Sequence, residues 1–145
     1  MSTNLGKLGV WTFLDNLSGF EAAAFAQRLE GWGYGALWLP EAVGRDPFTF
    51  ISFLAAHTEK IVFATGIANI YARDAMSMNA IHQTLSELIP DRFVLGMGVS
   101  HAPLVADIRG HDYGKPVSTM RAYVEGMQSS LFMSTPAEEP APIVL

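Results

Sequence analysis

The run Phe93-Val94-Leu95-Gly96-Met97-Gly98-Val99 decides the fold. An uninterrupted apolar stretch of this length is the pattern of a strand buried on both faces, as in a parallel sheet covered by helices. The same grammar recurs upstream. Residues 8–14, with Val10, Trp11, Thr12 and Phe13, read as a first strand, and 36–40 (Ala-Leu-Trp-Leu-Pro) as a second. Residues 61–70 read as a third, with Gly66 inside it marking a bulge or a close backbone approach. Helical spacing fills the intervals. Ser18 and Glu21 form a capping-box pattern ahead of Ala22, Phe25, Leu29 and Trp32, and Gly31 and Gly33 punctuate the end. Asp46 and Pro47 supply an N-cap and first helical position for a helix carrying Phe50, Ile51 and Leu54. Met78, Ile81, Leu85 and Leu88 line a third helix closed by Pro90. Lys115 and Pro116 open a fourth, with Val117, Met120, Val124, Met127 and Leu131 on one face. Residues 134–142 read as an exposed connector, and Ile143, Val144 and Leu145 as the start of another strand.

Strands therefore begin near positions 8, 36, 61 and 93, a repeat of roughly 30 residues that matches a βαβ unit. An open doubly wound sheet and the eight-stranded (β/α) barrel both use this rhythm. The chain has 145 residues, whereas a closed barrel needs ~250. On the barrel reading it is a single incomplete domain over residues 1–145, an N-terminal half of about four βα units plus a strand-five stub. Its inner face and edge strands are then expected to be uncovered unless another chain, a second copy or a C-terminal half, meets them.

Composition narrows the function. Hydrophobic residues make up 50% and charged residues 16%, which excludes a disordered or coiled-coil chain, and the mean hydropathy is +0.23. The net charge of −5 with scattered basic residues argues against nucleic acid. With no cysteine there is no disulfide, thiolate metal site or dithiol pair, so redox chemistry has to come from a cofactor. Residues 1–9 lack the order of a signal peptide, and no apolar run approaches the ~20 positions of a membrane span, so the expectation is a cytoplasmic protein.

In both architectures ligands bind beyond the carboxyl ends of the strands. Those positions are Phe13 and Asp15; Glu41 and Arg45; Asn69, Tyr71 and Arg73; then Ser100, His101 and His111. Glu41 follows an apolar run, a setting in which desolvation would favour a general acid; the alternative is a salt bridge to Arg45 or Arg73. His101 stands at the mouth of strand four, where an imidazole donates a hydrogen bond or shuttles a proton. Asp15 and Asp46 are also candidates for capping turns or helices. His57 and His82 lie in helical stretches and read as surface or packing residues. His101, Asp107, His111 and Asp112 match no strong zinc spacing, so no metal is expected. Gly96 and Gly98 begin a dinucleotide fingerprint, but His101 stands where its third glycine belongs and the helix starts too late. The 102–114 segment is long for a βα loop and reads as a binding loop.

Four blocks carry a family resemblance: Leu-Gly-Val-Trp-Thr-Phe at 8–13, Gly-Tyr-Gly-Ala-Leu-Trp-Leu-Pro-Glu at 33–41, Ala-Thr-Gly-Ile-Ala-Asn-Ile at 64–70, and Arg-Phe-Val-Leu-Gly-Met-Gly-Val-Ser-His at 92–101. The chain resembles the N-terminal half of the luciferase-like monooxygenase superfamily, particularly its deazaflavin (coenzyme F420) branch. The resemblance implies a TIM-type (β/α)8 barrel, present as its N-terminal half, and an oxidoreductase passing a hydride between deazaflavin, or alternatively FMN, and a small substrate. It places a non-prolyl cis peptide at Gly66-Ile67 behind the cofactor ring. It implies contacts to the ring or its ribityl chain from Asn69, Tyr71 and Ser100, with Phe13 beside them, and active-site roles for Glu41 and His101. Deazaflavin-dependent sugar-phosphate dehydrogenases carry His at the place of Glu41, which separates this chain from them. Two rival readings are a catalytically silent half barrel serving assembly, and a non-redox fragment using Glu41 and His101 for acid–base chemistry.

Overall fold

Each stretch of strand chemistry is a strand and each stretch of helical spacing a helix in a computed structural model, which describes residues 3–145. Positions 1 and 2, part of the opening segment read for a leader, lie outside the described residues. The strands are β1 (Gly9–Trp11), β2 (Ala36–Leu39), β3 (Val62–Thr65), β4 (Ala68–Asn69), β5 (Phe93–Gly98) and β6 (Ile143–Val144). The helices are α1 (Gly19–Gly31), α2 (Pro47–Ala55), α3 (Ala75–Leu88) and α4 (Pro116–Ser129). All pairings are parallel: β1 with β2, β2 with β3, β3 and β4 with β5, and β6 with β5. Among the described residues the order never reverses and forms no topological switch point, and the doubly wound alternative gives way to the half barrel.

Local chemistry explains the helix starts. The Ser18 hydroxyl accepts from the Glu21 N–H and the Glu21 carboxylate accepts from the Ser18 N–H, the full capping box. Asp46 caps α2 through the Thr49 N–H, with Pro47 in the first turn, and Asp74 caps α3 through the Ser77 N–H. Leu37, Leu39, Phe63, Phe93 and Leu95 face these helices and pack on Ala22, Ala26, Leu29, Ile51, Leu54, Met78 and Leu85.

The expected third strand is split. Ala64 pairs with Val94 and Ala68 with Met97, so four steps on one strand meet three on the other. That one-residue bulge divides β3 from β4 and contains the Gly66-Ile67 bond, which is cis. The expectation of an uncovered inner face holds at β1, where Trp11 is 57% exposed, and changes beneath Trp38. Ala36, Val62, Ala64 and Val94 are at most 3% exposed because they pack beneath Trp38. Side chains are small or missing around that indole: a Cβ built on Gly9, Gly66 or Gly96 would lie 3.3, 3.4 or 3.8 Å from it.

Other expectations change in detail. Strand one is not buried on both faces, since Trp11 is 57% exposed on the inner side. Leu88, Val117 and Leu131 are exposed, because nothing among the described residues packs on the end of α3 or the outer flank of α4. The 134–142 connector is largely exposed, as expected, and is also docked on α3. The Ala141 carbonyl lies 2.8 Å from His82 Nε2, the Ala141 N–H donates to Ser86 Oγ, and the Ala137 N–H donates to the Gln83 side chain. His82 is thus a buried docking residue that holds the approach to β6. His57 lies just beyond α2, its Nδ1 against the Phe53 carbonyl and its ring against Phe53 and Phe20.

Burial pulls the His82 pKa below its ordinary value of 6.5, although the Ala141 carbonyl opposes the shift. The unfolded chain then binds the extra proton more readily, so stability is full above 6.5 and falls as the pH drops below it. Thermal unfolding followed between pH 7.5 and pH 5 should show that decline. His82→Gln should flatten it while costing about 1 kcal/mol at pH 7.5.

Candidate active site

The bulge organises the strand ends because its backbone groups are satisfied from neighbouring strands, partly by backbone and partly by side chains. The Gly66 N–H donates to the Leu39 carbonyl at 2.9 Å, and the Gly66 carbonyl accepts from the Trp11 indole N–H at 2.6 Å. The Ile67 carbonyl accepts from the Glu41 N–H at 3.1 Å. One residue further on, the Asn69 N–H donates to Glu41 Oε2 at 2.7 Å. Glu41 therefore holds the bulge twice, once by backbone and once by carboxylate.

Of the two readings for Glu41, the geometry gives the salt bridge, with Arg73. Arg73 donates from Nη1 to Oε2 and from Nη2 to Oε1, a two-pronged pair in which the side chains are 12% and 7% exposed. Arg73 Nη2 also reaches Asp46 Oδ2 at 3.1 Å, and the guanidinium lies 4.7 Å from the centre of the Phe48 ring. Burial alone would ease a proton off Arg73, but the Glu41 and Asp46 carboxylates outweigh it and raise its pKa above the ordinary value. Both Glu41 oxygens are occupied by donors, which leaves no free carboxyl facing a ligand. Arg45 is engaged elsewhere, on the Leu14 and Leu17 carbonyls. Asp15 accepts from the Arg45 N–H, so it caps a turn.

Asn69 is fully buried at the end of β4. Its Oδ1 accepts from the Tyr71 N–H, which fixes the orientation of the amide, and its Nδ2 has no protein partner among the described residues. Tyr71 turns away: its hydroxyl donates to the Tyr113 carbonyl and its ring stacks on Tyr113 at 5.9 Å. The Tyr113 hydroxyl donates to the Ser100 carbonyl at 2.9 Å, and Arg109 Nη2 donates to the Ala42 carbonyl at 3.1 Å. These bonds tie the 102–114 segment, which holds a π-helical turn at Pro103–Ile108, across the ends of β2, β4 and β5. It is a folded strap rather than an extended loop.

Phe13 is 51% exposed and meets Trp11 edge to face at 5.4 Å. The Ile67 side chain lies against Gly98, where a built Cβ would come within 2.8 Å of Ile67 Cγ1. Glu41, Gly66, Ile67, Asn69, Tyr71 and Ser100 are thus joined in one network, and Phe13 meets it through Trp11. His101 adjoins Ser100, whose φ is +56°, and its exposed imidazole makes no hydrogen bond among the described residues. Asp107, His111 and Asp112 are exposed on the strap. Arg73 is one of the two partners that the sequence offers for Glu41, whereas the roles of Trp11 and Tyr113 are not evident from sequence. Trp11 carried one usable signal, an aromatic donor at the end of a strand one place removed from a predicted bulge.

Residues 9–137 match the model of a protein family described as luciferase-like monooxygenase. The chain belongs to that family. Among its relatives, the putative coenzyme F420-dependent oxidoreductase Rv3520c of Mycobacterium tuberculosis is 25% identical over 136 residues, 94% of this chain and 38% of that protein. The 5,10-methylenetetrahydromethanopterin reductase of Methanolobus tindarius is 26% identical over 110 residues, covering 75% of this chain and 33% of the reductase. The same fold occurs in an F420-dependent secondary alcohol dehydrogenase solved with an F420–acetone adduct. That likeness has a TM-score of 0.83 at 16% identity, over 99% of this chain and 52% of the dehydrogenase. The chain spans about a third to a half of the length of these relatives, so the half-barrel architecture expected from sequence is the architecture present. No helix among the described residues is long and apolar enough to cross a membrane.

If Tyr71 holds the strap, Tyr71→Phe should leave the sheet intact and loosen residues 102–114. Limited proteolysis should then cut within that segment at least about tenfold faster than in the parent chain, with a stability loss of about 1 kcal/mol.

Proposed function

We propose that this chain forms the cofactor-facing part of an oxidoreductase that passes a hydride between a deazaflavin (coenzyme F420), or FMN, and a small organic substrate. The observation that carries this reading is Asn69 Nδ2, a buried donor beside the bulge with no protein acceptor among the described residues. Leaving such a group unpaired costs about 1–3 kcal/mol. A heterocycle rimmed with carbonyl oxygens and ring nitrogens would supply the missing acceptor where the groups covering Asn69, which is 0% exposed, give way to it, and on that ground the residues present fit a flavin-like ring. Gly66 and Ile67 would back it, Asn69 would bond its edge, and Phe13 and Ser100 would border it, while Tyr71 acts by holding the strap. When bound, the cofactor supplies the two-electron chemistry that a chain without cysteine lacks.

The chain's own residues then bind, orient and protect. The Glu41 N–H and the Trp11 indole fix the bulge carbonyls, so the surface offered to the ring is set before anything binds. Trp11 and Phe13 offer an apolar surface at the end of β1 that would shield one side of a bound ring from water. His101, whose side chain is unengaged among the described residues, adjoins Ser100 and is the residue we assign to act on a substrate, passing a proton to or from a substrate oxygen. The edges of β1 and β6 would be met by a second half barrel, from a C-terminal continuation or from another copy of the chain.

Titrating the 145-residue chain with FMN and with oxidised F420, and following ring fluorescence, should give saturable quenching by at least one of them. No change with either overturns the reading. Gly98→Val, which drives side-chain atoms into Ile67, should weaken that binding about tenfold or more. His101→Ala should leave the affinity within about twofold, because a proton carrier contributes to turnover rather than to ring binding.

A further inference from the structure

The strand ends hold a buried ion pair that does more than neutralise charge. Glu41 spans the bulge with two bonds, its N–H on the Ile67 carbonyl at 3.1 Å and its Oε2 on the Asn69 N–H at 2.7 Å. The carboxylate can hold that second bond only if its own orientation is fixed. Arg73 fixes it, with one guanidinium nitrogen on each oxygen. Arg73 is in turn anchored from three directions. Asp46, the N-cap of α2, takes Nη2; the Phe48 ring lies 4.7 Å away; and the Tyr123 hydroxyl of α4 donates to the Arg73 carbonyl at 2.9 Å. A chain of contacts thus runs from α4 and α2 through Arg73 and Glu41 to the backbone on both sides of the bulge.

From this we infer that Arg73 is a positioning residue: through Glu41 it sets the placement of the backbone from Ile67 to Asn69, and with it the Asn69 carboxamide, against which a cofactor ring is bound. Glu41 is accordingly the jaw of this clamp and not the proton donor. The inference rests on the cofactor reading above for its purpose, but its mechanical content is independent of any ligand. Geometry separates it from simple charge pairing. A guanidinium fork restrains both carboxylate oxygens, whereas an ammonium at the same place is a single point of attraction and leaves the carboxylate free to rotate. Lysine would therefore keep the charge and lose the positioning.

The test uses the 145-residue chain and its Arg73→Lys and Glu41→Gln variants, with two readouts. The first is amide hydrogen exchange without ligand. In Arg73→Lys the Asn69 amide, which donates to the carboxylate, should exchange about tenfold faster or more, and the Glu41 amide should follow. The Gly66 amide, bonded to Leu39 instead, should stay within about twofold of its parent rate. The second readout is the affinity for FMN and F420, which should fall at least about fivefold in Arg73→Lys. Glu41→Gln, which keeps one oxygen acceptor, should fall between parent and Arg73→Lys in both measurements. Unchanged exchange at Asn69 overturns the proposal, and so does an equal acceleration of all amides, which would mark a general loss of stability. If the parent chain takes up neither cofactor while Asn69 exchange responds as stated, the cofactor reading fails and the clamp stands. If the parent binds and Arg73→Lys binds equally well, the clamp has no role in the site while the cofactor reading survives.

Discussion

One extra residue between Ala64 and Ala68 governs how the carboxyl ends of the strands are held in this half barrel. A parallel ladder with matched steps would bond its own backbone groups and leave side chains no part in it. Because the step count differs across the bulge, the carbonyls of Gly66 and Ile67 need donors from elsewhere. They obtain them from two other strands, the Trp11 indole at the end of β1 and the Glu41 N–H just after β2. A local irregularity thereby becomes a junction at which the first three strands are fastened together. Glu41 and Trp11 are bonded directly to that junction, and Arg73 reaches it through Glu41.

The energetic side is consistent with this view. The groups fastened there are polar and poorly exposed, so each has to be paired or its burial is uncompensated. Glu41 and Arg73 satisfy one another and recruit Asp46, while Tyr71 and Tyr113 satisfy the strap. The network is nearly closed. Among the described residues the buried side-chain nitrogens left without a partner are Asn69 Nδ2 and Arg109 Nε, the former beside the bulge and the latter in the strap above Ala42.

Much of the fold could be read from residues alone, since apolar runs, helical spacing, the Ser18–Glu21 box and the Asp46-Pro47 start are local signals whose physics needs no tertiary context. Gly66 announced an irregular strand for the same reason. What stayed hidden depends on distance in the sequence. Arg73 binds a carboxylate 32 positions away, and Tyr71 binds a carbonyl 42 positions away; no spacing rule connects them. Glu41 was legible as important and its partner was one of two arginines, but only coordinates could choose between them. The docking of the connector by His82 was invisible because a histidine within a helical stretch carries no mark of the strand end it meets.

Trp38 carries a consequence of its own. Its indole lies near Gly9, Gly66 and Gly96, and Trp11 bonds the same bulge, so two of the three tryptophans border the junction, whereas Trp32 is 67% exposed at the end of α1. The molecule therefore contains a built-in optical reporter. Trp38, the partly buried tryptophan, is expected to give the bluer emission, and anything that settles on the inner side of the sheet should alter a signal that needs no attached dye.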